Sequence, residues 1–490
     1  MHILETIYDW ATEASSDTHT FWLEGLAGTG KSTISRTVAD VLHQQKQLAG
    51  SFFFKRGEGS RAHGKQFFVT IACQLAARFP SMLSHVAAVL NKVPDIASKN
   101  IEKQFEALLE EPLGLGEGET RSNDLIIVID ALDECEPLDL SMILPRLAKT
   151  RLKCFITSRP DYNSLYTSSQ LEGMQHIHLH KLDESITKQD IRTYLTSRLT
   201  EVKKKHLFAR RNKIPPHWPD DDTLEGLTDL ANPLFIAAAT IWRMLDARNV
   251  PKSPVRIAQD ILEKKSKGLK GIESIYTQVL AKLNPEFSSE FQKVVGPVIV
   301  MFDHLTISDL ARLLGMDEDD IDCCITQLEE VLDVSNPEAP IRPFHLSLPD
   351  FLLGTSPPEG FRISEKDTHK DLADHCIRIL HNTLRQDICN VGSPGCSRGE
   401  VSGELIKESL LSEVQYACLY WVDHLKACGE PIQDDDKTHR LLHATFPMWL
   451  EALSWIDKLD ESRRMIYDLQ QLTHVRPWPK PASRVSFDCY

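Results

Sequence analysis

Several features that would place this chain in a special structural class are missing. The eleven cysteines are scattered, none forms a Cys-x-x-Cys pair, and only Cys323 and Cys324 are adjacent. Neither a zinc site nor a disulfide framework is therefore indicated, and a reducing cytoplasm is the expected compartment. The N-terminus carries Glu5, Asp9 and Glu13 where a secretory signal needs basic and apolar segments, so no such signal is predicted.

Long hydrophobic runs and positive charge are also scarce. The longest apolar stretch, residues 233–241, is too short to cross a bilayer and is predicted to be a core helix. The formal net charge is −15, so neither nucleic acid nor an anionic membrane surface is an expected partner of the whole molecule. No internal repeat is apparent, which excludes a solenoid within the chain, and 490 residues predict roughly two to four domains.

The clearest positive signal is a glycine-rich octapeptide of the form G-x-x-x-x-G-K-S, the pattern of a phosphate-binding P-loop. It lies between a strand-like and a helix-like segment, so a helix N-terminus and its dipole would face the phosphates. The glycines are expected to adopt positive φ and turn N–H groups inward. Lys31 would reach the β- and γ-phosphates, and the Ser32 hydroxyl would ligate Mg²⁺. The predicted nucleotide-binding residues here are Gly25, Leu26, Ala27, Gly28, Thr29, Gly30, Lys31, Ser32 and Thr33.

A second motif supplies the carboxylates that a P-loop needs beside the metal. Five apolar residues, 125–129, are followed by Asp130, and then by Asp133 and Glu134. Asp130 is predicted to hold Mg²⁺ through water together with Ser32. Either Asp133 or Glu134 is predicted to act as the general base that orients water for in-line attack on the γ-phosphorus.

A third apolar strand, about 25 residues further on, ends in Thr157-Ser158-Arg159-Pro160. The carboxyl ends of strands in an open parallel sheet face the ligand crevice. Arg159 is therefore predicted to sense the γ-phosphate through a charge-assisted hydrogen bond. Asn91-Lys92-Val93-Pro94-Asp95 lacks the spacing of the guanine-reading N-K-x-D motif, so adenine is the favoured base.

The alternation of strand-like and helix-like segments predicts an α/β P-loop NTPase with a parallel sheet of the ASCE type. Beyond residue 181 the chain is almost wholly helical, apart from two short strand candidates at 332–334 and 341–344. Three helical patterns followed by these strands have the order of a winged helix. The segment that would be its recognition helix, 317–333, carries eight carboxylates and no Lys or Arg. Phosphates would repel such a helix, so binding to DNA is not expected. Strands are predicted at 20–23, 50–54, 125–129, 153–157 and 176–179, and helices at 65–79, 101–109, 187–205, 223–247 and 255–283.

These patterns divide the chain into modules. Tyr416, Tyr420, Trp421, Trp449 and Trp455 are predicted to pack a helical core in the C-terminal part. The predicted modules are a lead-in (1–18), the NTPase core (19–182), a helical domain (183–284), a winged-helix domain (285–357), a C-terminal helical domain (358–475) and a tail (476–490).

The motifs together resemble the fungal NACHT-domain proteins, which are STAND-class signalling NTPases similar to heterokaryon-incompatibility proteins and to the nephrocystin-type N-terminal domain. The resemblance covers most of the chain. It is carried by W-L-E-G-L-A-G-T-G-K-S-T (22–33), G-S-F-F-F-K-R-G-E-G (50–59), I-V-I-D-A-L-D-E-C (127–135) and F-I-T-S-R-P (155–160), and it continues through 273–280, 340–353 and 414–422.

The resemblance implies an ATP/ADP switch that binds Mg²⁺, slowly hydrolyses ATP and associates with itself and with protein partners in signalling, self/non-self recognition or an innate-immunity-like response. In the family a winged-helix histidine touches the β-phosphate of ADP, and His345 stands in the matching motif. Pro233 occupies the place of the G-x-P segment that lines the adenine, with Asn232 in the glycine position.

Family members usually carry an effector domain and C-terminal repeats. Neither is expected in this chain, which suggests a fragment, a truncated paralogue or a regulator of longer relatives. Two other functions stay open: a P-loop kinase of small molecules, and a scaffold that binds nucleotide without hydrolysing it.

Overall fold

The chain folds into two compact units in the computed structural model. The first comprises Met1–Lys282 with His345–Leu348, and the second comprises Leu283–Phe344 with Pro349–Tyr490. The finer division into modules stays a prediction, and the predicted tail lies outside the described residues. The structure describes residues 2–13, 19–55, 64–110, 112, 125–147, 152–160, 174–179, 184–205, 214–247, 252–263, 271–334, 336–393 and 395–473.

The first unit is built on a parallel sheet, as the sequence predicts. Its strands stand in the order β2-β3-β4-β1-β5 and all pair in parallel. Strand β4 lies between β1 and β3, which is the additional strand of the ASCE arrangement, so the predicted fold class is confirmed. The strands are Thr20–Glu24 (β1), Leu48–Phe53 (β2), Ile126–Asp130 (β3), Lys153–Ser158 (β4) and Met174–His178 (β5).

Both faces of this sheet are buried in hydrophobic cores. Because successive residues of a strand point to opposite sides of the sheet, neighbouring residues belong to different cores. Trp22, Ile127 and Ile156 belong to the core on one face, and Phe21 and Val128 belong to the core on the other. The α-helices described in the first unit are His2–Thr12 (α1), Lys31–Gln44 (α2), Phe67–Arg78 (α3), Pro80–Lys92 (α4), Ile101–Phe105 (α5, continued by a π-helical turn at Glu106–Glu110), Pro137–Leu147 (α6), Glu184–Lys205 (α7), Asp221–Ala231 (α8), Phe235–Asp246 (α9), Pro254–Glu263 (α10) and Ile272–Leu280 (α11).

Helix α1 lies in the predicted lead-in, which the sequence indicates to be polar and helical, and it packs on the sheet. Its Trp10 is buried in the sheet core, against Phe21. The buried ammonium of Lys153, on β4, donates hydrogen bonds to the carbonyl oxygens of Trp10 at 2.9 Å and Glu13 at 2.8 Å. Lys153 therefore supplies hydrogen bonds to carbonyl oxygens at the C-terminus of α1 that have no donor within the helix. Its positive charge also complements the helix dipole there.

Replacing Lys153 by Met is expected to release α1 from the sheet, because it leaves carbonyl oxygens at the end of the helix without a donor. Each lost charged hydrogen bond costs about 1.5–3 kcal/mol, so the amides of residues 2–12 should exchange with solvent about 100-fold faster. Hydrogen exchange read by mass spectrometry measures this. Lys92→Met, at an exposed position on α4, is the control; equal protection of α1 in both variants would contradict the role of Lys153.

Two long helices predicted from the sequence are each interrupted. The segment 223–247 is two helices, α8 and α9, because Pro233 lacks the N–H that a continuous helix needs. The segment 255–283 contains α10 and α11 instead of one helix. The apolar run after Pro233 forms a core helix as predicted. No helix within the described segments combines the length and the hydrophobicity needed to cross a bilayer.

The second unit begins with three helices and a short antiparallel strand pair, in the predicted order. The winged-helix assignment of this order stays a prediction. The helix predicted at 317–333 is wrong in its length: it ends at Thr326, and Leu332 already pairs with Pro343 as a strand. The elements are Ser288–Val300 (α12), Ile307–Leu314 (α13), Glu318–Thr326 (α14), Leu332–Asp333 (β6) and Arg342–Pro343 (β7).

The described residues that follow in the second unit, up to residue 473, are mainly helical, and their aromatic side chains form the core that the sequence predicts. Tyr416, Trp421, Trp449 and Trp455 are buried, Tyr420 is partly buried, and the rings of Trp421 and Trp449 meet edge to face at 5.6 Å. The helices are Glu365–Thr383 (α16), Gly403–Ser409 (α17), Ser412–Cys428 (α18), Lys437–Trp455 (α19) and Glu461–Leu472 (α20), and Ser347–Leu353 (α15) precedes them.

A buried pair of histidines joins α16 to α18. The Nδ1 atoms of His369 and His424 are 2.7 Å apart, and Nε2 of His424 is 2.8 Å from the hydroxyl of Tyr416. The ring of Phe302 lies against both imidazoles. Burial lowers the pKa of each histidine, and that of His424 lies well below its ordinary value.

The second unit is therefore expected to lose stability as the pH falls below about 6.5, the ordinary pKa of histidine. Below that pH the unfolded chain binds protons at His369 and His424 more readily than the folded chain does, because the pKa of each histidine is lowered by folding. The free energy of unfolding therefore drops by up to about 1.4 kcal/mol per pH unit for each imidazole. Urea unfolding between pH 7.5 and 5 measures the slope. His424→Gln should flatten it, the exposed His381→Gln should not, and equal slopes in the two variants would contradict the assignment.

Candidate nucleotide-binding site

The P-loop connects β1 to α2 and presents the first turn of that helix. Gly28 and Gly30 have φ of 82° and 93°, so the predicted positive φ holds at these two positions. The amides of Thr33 and Ile34 both donate to the carbonyl of Gly30 at 3.0 Å, which closes the first turn. The preceding amides of the turn have no partner within the helix and can bind an anion.

The positive φ predicted for Gly25 is wrong. Its φ is not positive, and what requires a glycine there is space. A Cβ at this position would lie 2.6 Å from Oγ1 of Thr29 and 3.1 Å from Cβ of Leu179. Gly25 therefore lets the loop pass close to the chain that follows β5.

Lys31 lies at the start of α2 and reaches back over the loop. Its ammonium donates to the carbonyls of Gly25 at 2.7 Å and Leu26 at 3.0 Å. Burial lowers the pKa of Lys31, and the nearby charge of Asp133 opposes that shift. A phosphate placed in the loop would exchange these neutral carbonyl partners for charged oxygens.

Asp130 is fixed at the end of β3 by two hydroxyls that the sequence did not single out. Its Oδ1 accepts from Ser35 at 2.8 Å and from Thr157 at 2.6 Å, and the carboxylate is 3% exposed. Ser35 lies one helical turn after Ser32 on α2, so the acidic strand end and the P-loop helix are adjacent. Among the described residues none donates to Oδ2 of Asp130, which leaves that oxygen for a metal-bound water. The donors present therefore fit Mg²⁺, which prefers hard oxygen ligands and retains several waters.

The chain turns sharply after Asp130. Ala131 has φ of 54°, a left-handed conformation that is uncommon for alanine, and its amide donates to Oγ1 of Thr157 at 3.0 Å. A single 3-10 turn, Leu132–Glu134, follows and carries the two candidate bases. The side chain that anchors Asp130 thus also fixes the loop on which these bases stand.

Asp133 and Glu134 have different surroundings. Asp133 is 5% exposed, and its oxygens are 3.1 Å from the amide and 3.3 Å from Nε of Arg159. Glu134 is partly exposed, and its charge is close enough to Lys31 to raise the pKa of that lysine. The structure therefore joins Asp133 and Arg159 as an ion pair within the site.

His345 lies against the P-loop, within the first unit. Its Cε1 is 3.8 Å from the position that a Cβ on Gly28 would occupy. Burial lowers its pKa to about 4, and the positive charges of Arg159, Lys31 and Arg243 contribute. The imidazole is therefore neutral near pH 7.

The segment after Pro233 also contacts the P-loop. The amide of Ile236 donates to the carbonyl of Gly28 at 3.3 Å, and the ring of Phe235 is 3.7 Å from the position of a Cβ on Gly30. Pro233 itself is exposed. Arg243, two turns further along α9, is a basic residue of this region that sequence reasoning missed, because no motif marks it.

Residues 3–159 match the family model described as "Nephrocystin 3, N-terminal". The chain is also 25% identical over 503 residues to "Vegetative incompatibility protein HET-E-1" of Podospora anserina. The predicted resemblance is confirmed. The nephrocystin-type segment extends from α1 to Arg159, so it includes the P-loop, the acidic strand and the end of β4. The match to the Podospora protein covers 93% of this chain but only 35% of that protein, so this chain spans about a third of its relative's length.

Solved structures show more distant similarity. A STAND ATPase with a tetratricopeptide repeat sensor from Pyrococcus horikoshii aligns at 14% identity and a TM-score of 0.38, over 95% of this chain and 64% of that one. The Drosophila ORC bound to DNA aligns at 14% identity and a TM-score of 0.35, over 66% of this chain and 80% of that one.

Proposed function

We propose that this chain is a STAND-type molecular switch that binds ADP or ATP with Mg²⁺ at the P-loop and hydrolyses ATP slowly. The observation that carries the proposal is the convergence of four groups on one loop. Lys31 and His345 lie at the glycine turn, Asp130 is anchored to the P-loop helix through Ser35, and Arg159 stands at the end of the neighbouring strand.

In this proposal the residues 25–33 bind the phosphates, and the Ser32 hydroxyl and Oδ2 of Asp130 hold Mg²⁺, with Asp130 acting through water. The ion would polarise the phosphate and neutralise developing negative charge. Pro233, at the segment that contacts Gly28 and Gly30, would border the base. Adenine is preferred because no N-K-x-D motif is present to read guanine.

We assign the general base to Glu134. Asp133 is 5% exposed and pairs with Arg159, whereas Glu134, in the same turn, is partly open to the solvent that would supply the attacking water. An oxygen of the γ-phosphate would compete with Asp133 for Arg159, because both are anionic acceptors for one guanidinium. Arg159 would thereby distinguish ATP from ADP, and Asp133 would hold it when no γ-phosphate is present.

His345 would donate to the β-phosphate of ADP and keep residues 345–348 on the P-loop. Exchange of ADP for ATP would favour release of this segment, and each nucleotide would shift the conformational equilibrium by its difference in affinity for the two states. Self-association, protein partners, a cytoplasmic location and a role in signalling or self/non-self recognition complete the proposal. The scattered cysteines support the cytoplasmic location, and the other parts rest on the resemblance to the incompatibility protein.

Small-angle X-ray scattering with MgADP and with a magnesium complex of a non-hydrolysable ATP analogue tests the proposal. The two complexes should differ in radius of gyration or in mass. A kinase would instead transfer phosphate to a metabolite, and a scaffold would retain ATP without forming ADP. Identical scattering from both saturated complexes would exclude a nucleotide-dependent switch.

A further inference from the structure

The histidine at the P-loop belongs to a hydrogen-bonded chain of three side chains. The hydroxyl of Tyr276 is 2.8 Å from Oγ of Ser347, and that oxygen is 2.9 Å from Nδ1 of His345. The backbone amide of Ser347 lies 3.0 Å from the same Nδ1. All three residues belong to the first unit, and the Tyr276 side chain is 2% exposed.

The direction of every bond in this chain follows from one amide. A backbone N–H can only donate, so Nδ1 of His345 must be the acceptor and carries no proton. The Ser347 hydroxyl near the same nitrogen must also donate to it. The oxygen of Ser347 then accepts the proton of the Tyr276 hydroxyl. The neutral imidazole consequently carries its proton on Nε2, the nitrogen remote from Ser347.

We propose that Tyr276 and Ser347 are positioning residues that fix His345 in its Nε2–H tautomer, so that it serves as a neutral hydrogen-bond donor to the phosphates of a bound nucleoside diphosphate. The inference rests on the proposed function for the ligand, while the tautomer itself does not depend on a nucleotide. With its proton on Nδ1, the ring would place an acceptor toward an anion and lose the bond.

The surroundings explain why a fixed tautomer is needed. Lys31, Arg159 and Arg243 all place positive charge near the ring, so an imidazolium is disfavoured and charge attraction cannot orient the histidine. Protonation of Nδ1 would also set the ring N–H against the Ser347 amide, donor against donor. The orientation of the imidazole therefore has to come from hydrogen bonds. Through Ser347, Tyr276 connects the imidazole of His345 to helix α11.

The first test needs no nucleotide. Proton–nitrogen correlation spectra of the full chain labelled in histidine should show His345 protonated on Nε2, with the signal assigned by its loss in His345→Gln. The Ser347 amide still donates to Nδ1 in Tyr276→Phe and in Ser347→Ala, so the loss of the hydroxyl bonds should weaken the preference for Nε2–H without abolishing it. The resonance should therefore shift part of the way toward the other tautomer in both variants, and Ser347→Thr should restore the wild-type position. A wild-type His345 protonated on Nδ1 would overturn the inference.

The second test measures release of a fluorescent ADP analogue. His345→Ala should speed release about 10- to 100-fold, and Tyr276→Phe about 3- to 10-fold, since the first removes a bond to a charged group and the second a neutral one. Tyr276→Phe should have no further effect in the His345→Ala background, because it acts through the histidine. Additive effects would overturn the inference, and so would unchanged release from Tyr276→Phe alone.

Tyr8→Phe is the matched control for these measurements. Its hydroxyl is buried on α1 and contacts no hydrogen-bond partner among the described residues, so the substitution removes the same atom from the same unit without touching Ser347. Failure of the wild-type chain to bind the analogue would contradict the proposed function alone, because the tautomer measurement would still decide the inference.

Discussion

Replacing Lys31 by Ala is expected to weaken nucleotide binding severely. The ammonium now bonds two carbonyls of the P-loop and would exchange them for phosphate oxygens, and hydrogen bonds between charged groups are worth about 1.5–3 kcal/mol each. Loss of one or two such bonds should weaken ADP affinity by about 100- to 1000-fold. Equilibrium titration with a fluorescent ADP analogue measures the change.

Lys92→Ala provides the control, because Lys92 is exposed at the end of α4 in the same unit. Its affinity for the analogue should match that of the wild type. If Lys31→Ala is folded, as judged by circular dichroism, and still binds the analogue with wild-type affinity, the proposal that the P-loop binds the nucleotide is contradicted.

Replacing Glu134 by Gln is expected to keep ATP bound while slowing its hydrolysis. The amide preserves the size of the side chain but cannot accept a proton from the attacking water, and general-base catalysis contributes about 100- to 10000-fold. ATP affinity should stay within a few-fold of the wild type, since the side chain is assigned no bond to the phosphates. Single-turnover phosphate release measures the rate.

Glu136→Gln separates this effect from a general loss of negative charge. Glu136 is exposed and lies two residues after Glu134 in the chain. The Glu136→Gln variant should therefore hydrolyse ATP at the wild-type rate. Wild-type phosphate release from Glu134→Gln would transfer the role of base to Asp133. That outcome would also require the Asp133–Arg159 pair to open with ATP.

The sequence predicted the sheet well, because each strand there is a short apolar run bounded by polar residues. β3 follows from five apolar residues that end in Asp130, and the structure shifts the predicted strand by a single residue. The two-faced burial of Phe21 and Trp22 likewise follows from adjacent aromatic residues in a buried parallel strand. The P-loop needed only its own spacing and its flanking elements.

Side-chain partners could not be predicted in the same way, because they depend on which strands become neighbours. Thr157 bonds Asp130 only because β4 lies beside β3, and Ser35 does so only because α2 packs on that strand end. The ion pair between Asp133 and Arg159 has the same origin. Nothing local in the sequence distinguishes Lys153 from a surface lysine, since the carbonyls that it bonds lie about 140 residues earlier in the chain.

Helix lengths failed where local patterns misled. The sequence pattern of residues 317–333 predicts one helix, but the helix ends at Thr326 and Leu332 belongs to a strand that pairs with Pro343. The hydrogen bond of Tyr276 could not be predicted from the sequence either. Tyr276 lies in an ordinary helical pattern, and its partner Ser347 is 71 residues away in the chain. Both cases depend on long-range contacts that periodicity does not encode.

Isothermal titration calorimetry of the wild-type chain with ADP, in the presence and absence of Mg²⁺, tests the central claim most directly. The account predicts one ADP bound per chain, tighter binding with Mg²⁺, and competition by ATP at the same site. No measurable binding of either nucleotide, or binding that is equally tight in Lys31→Ala, would contradict it.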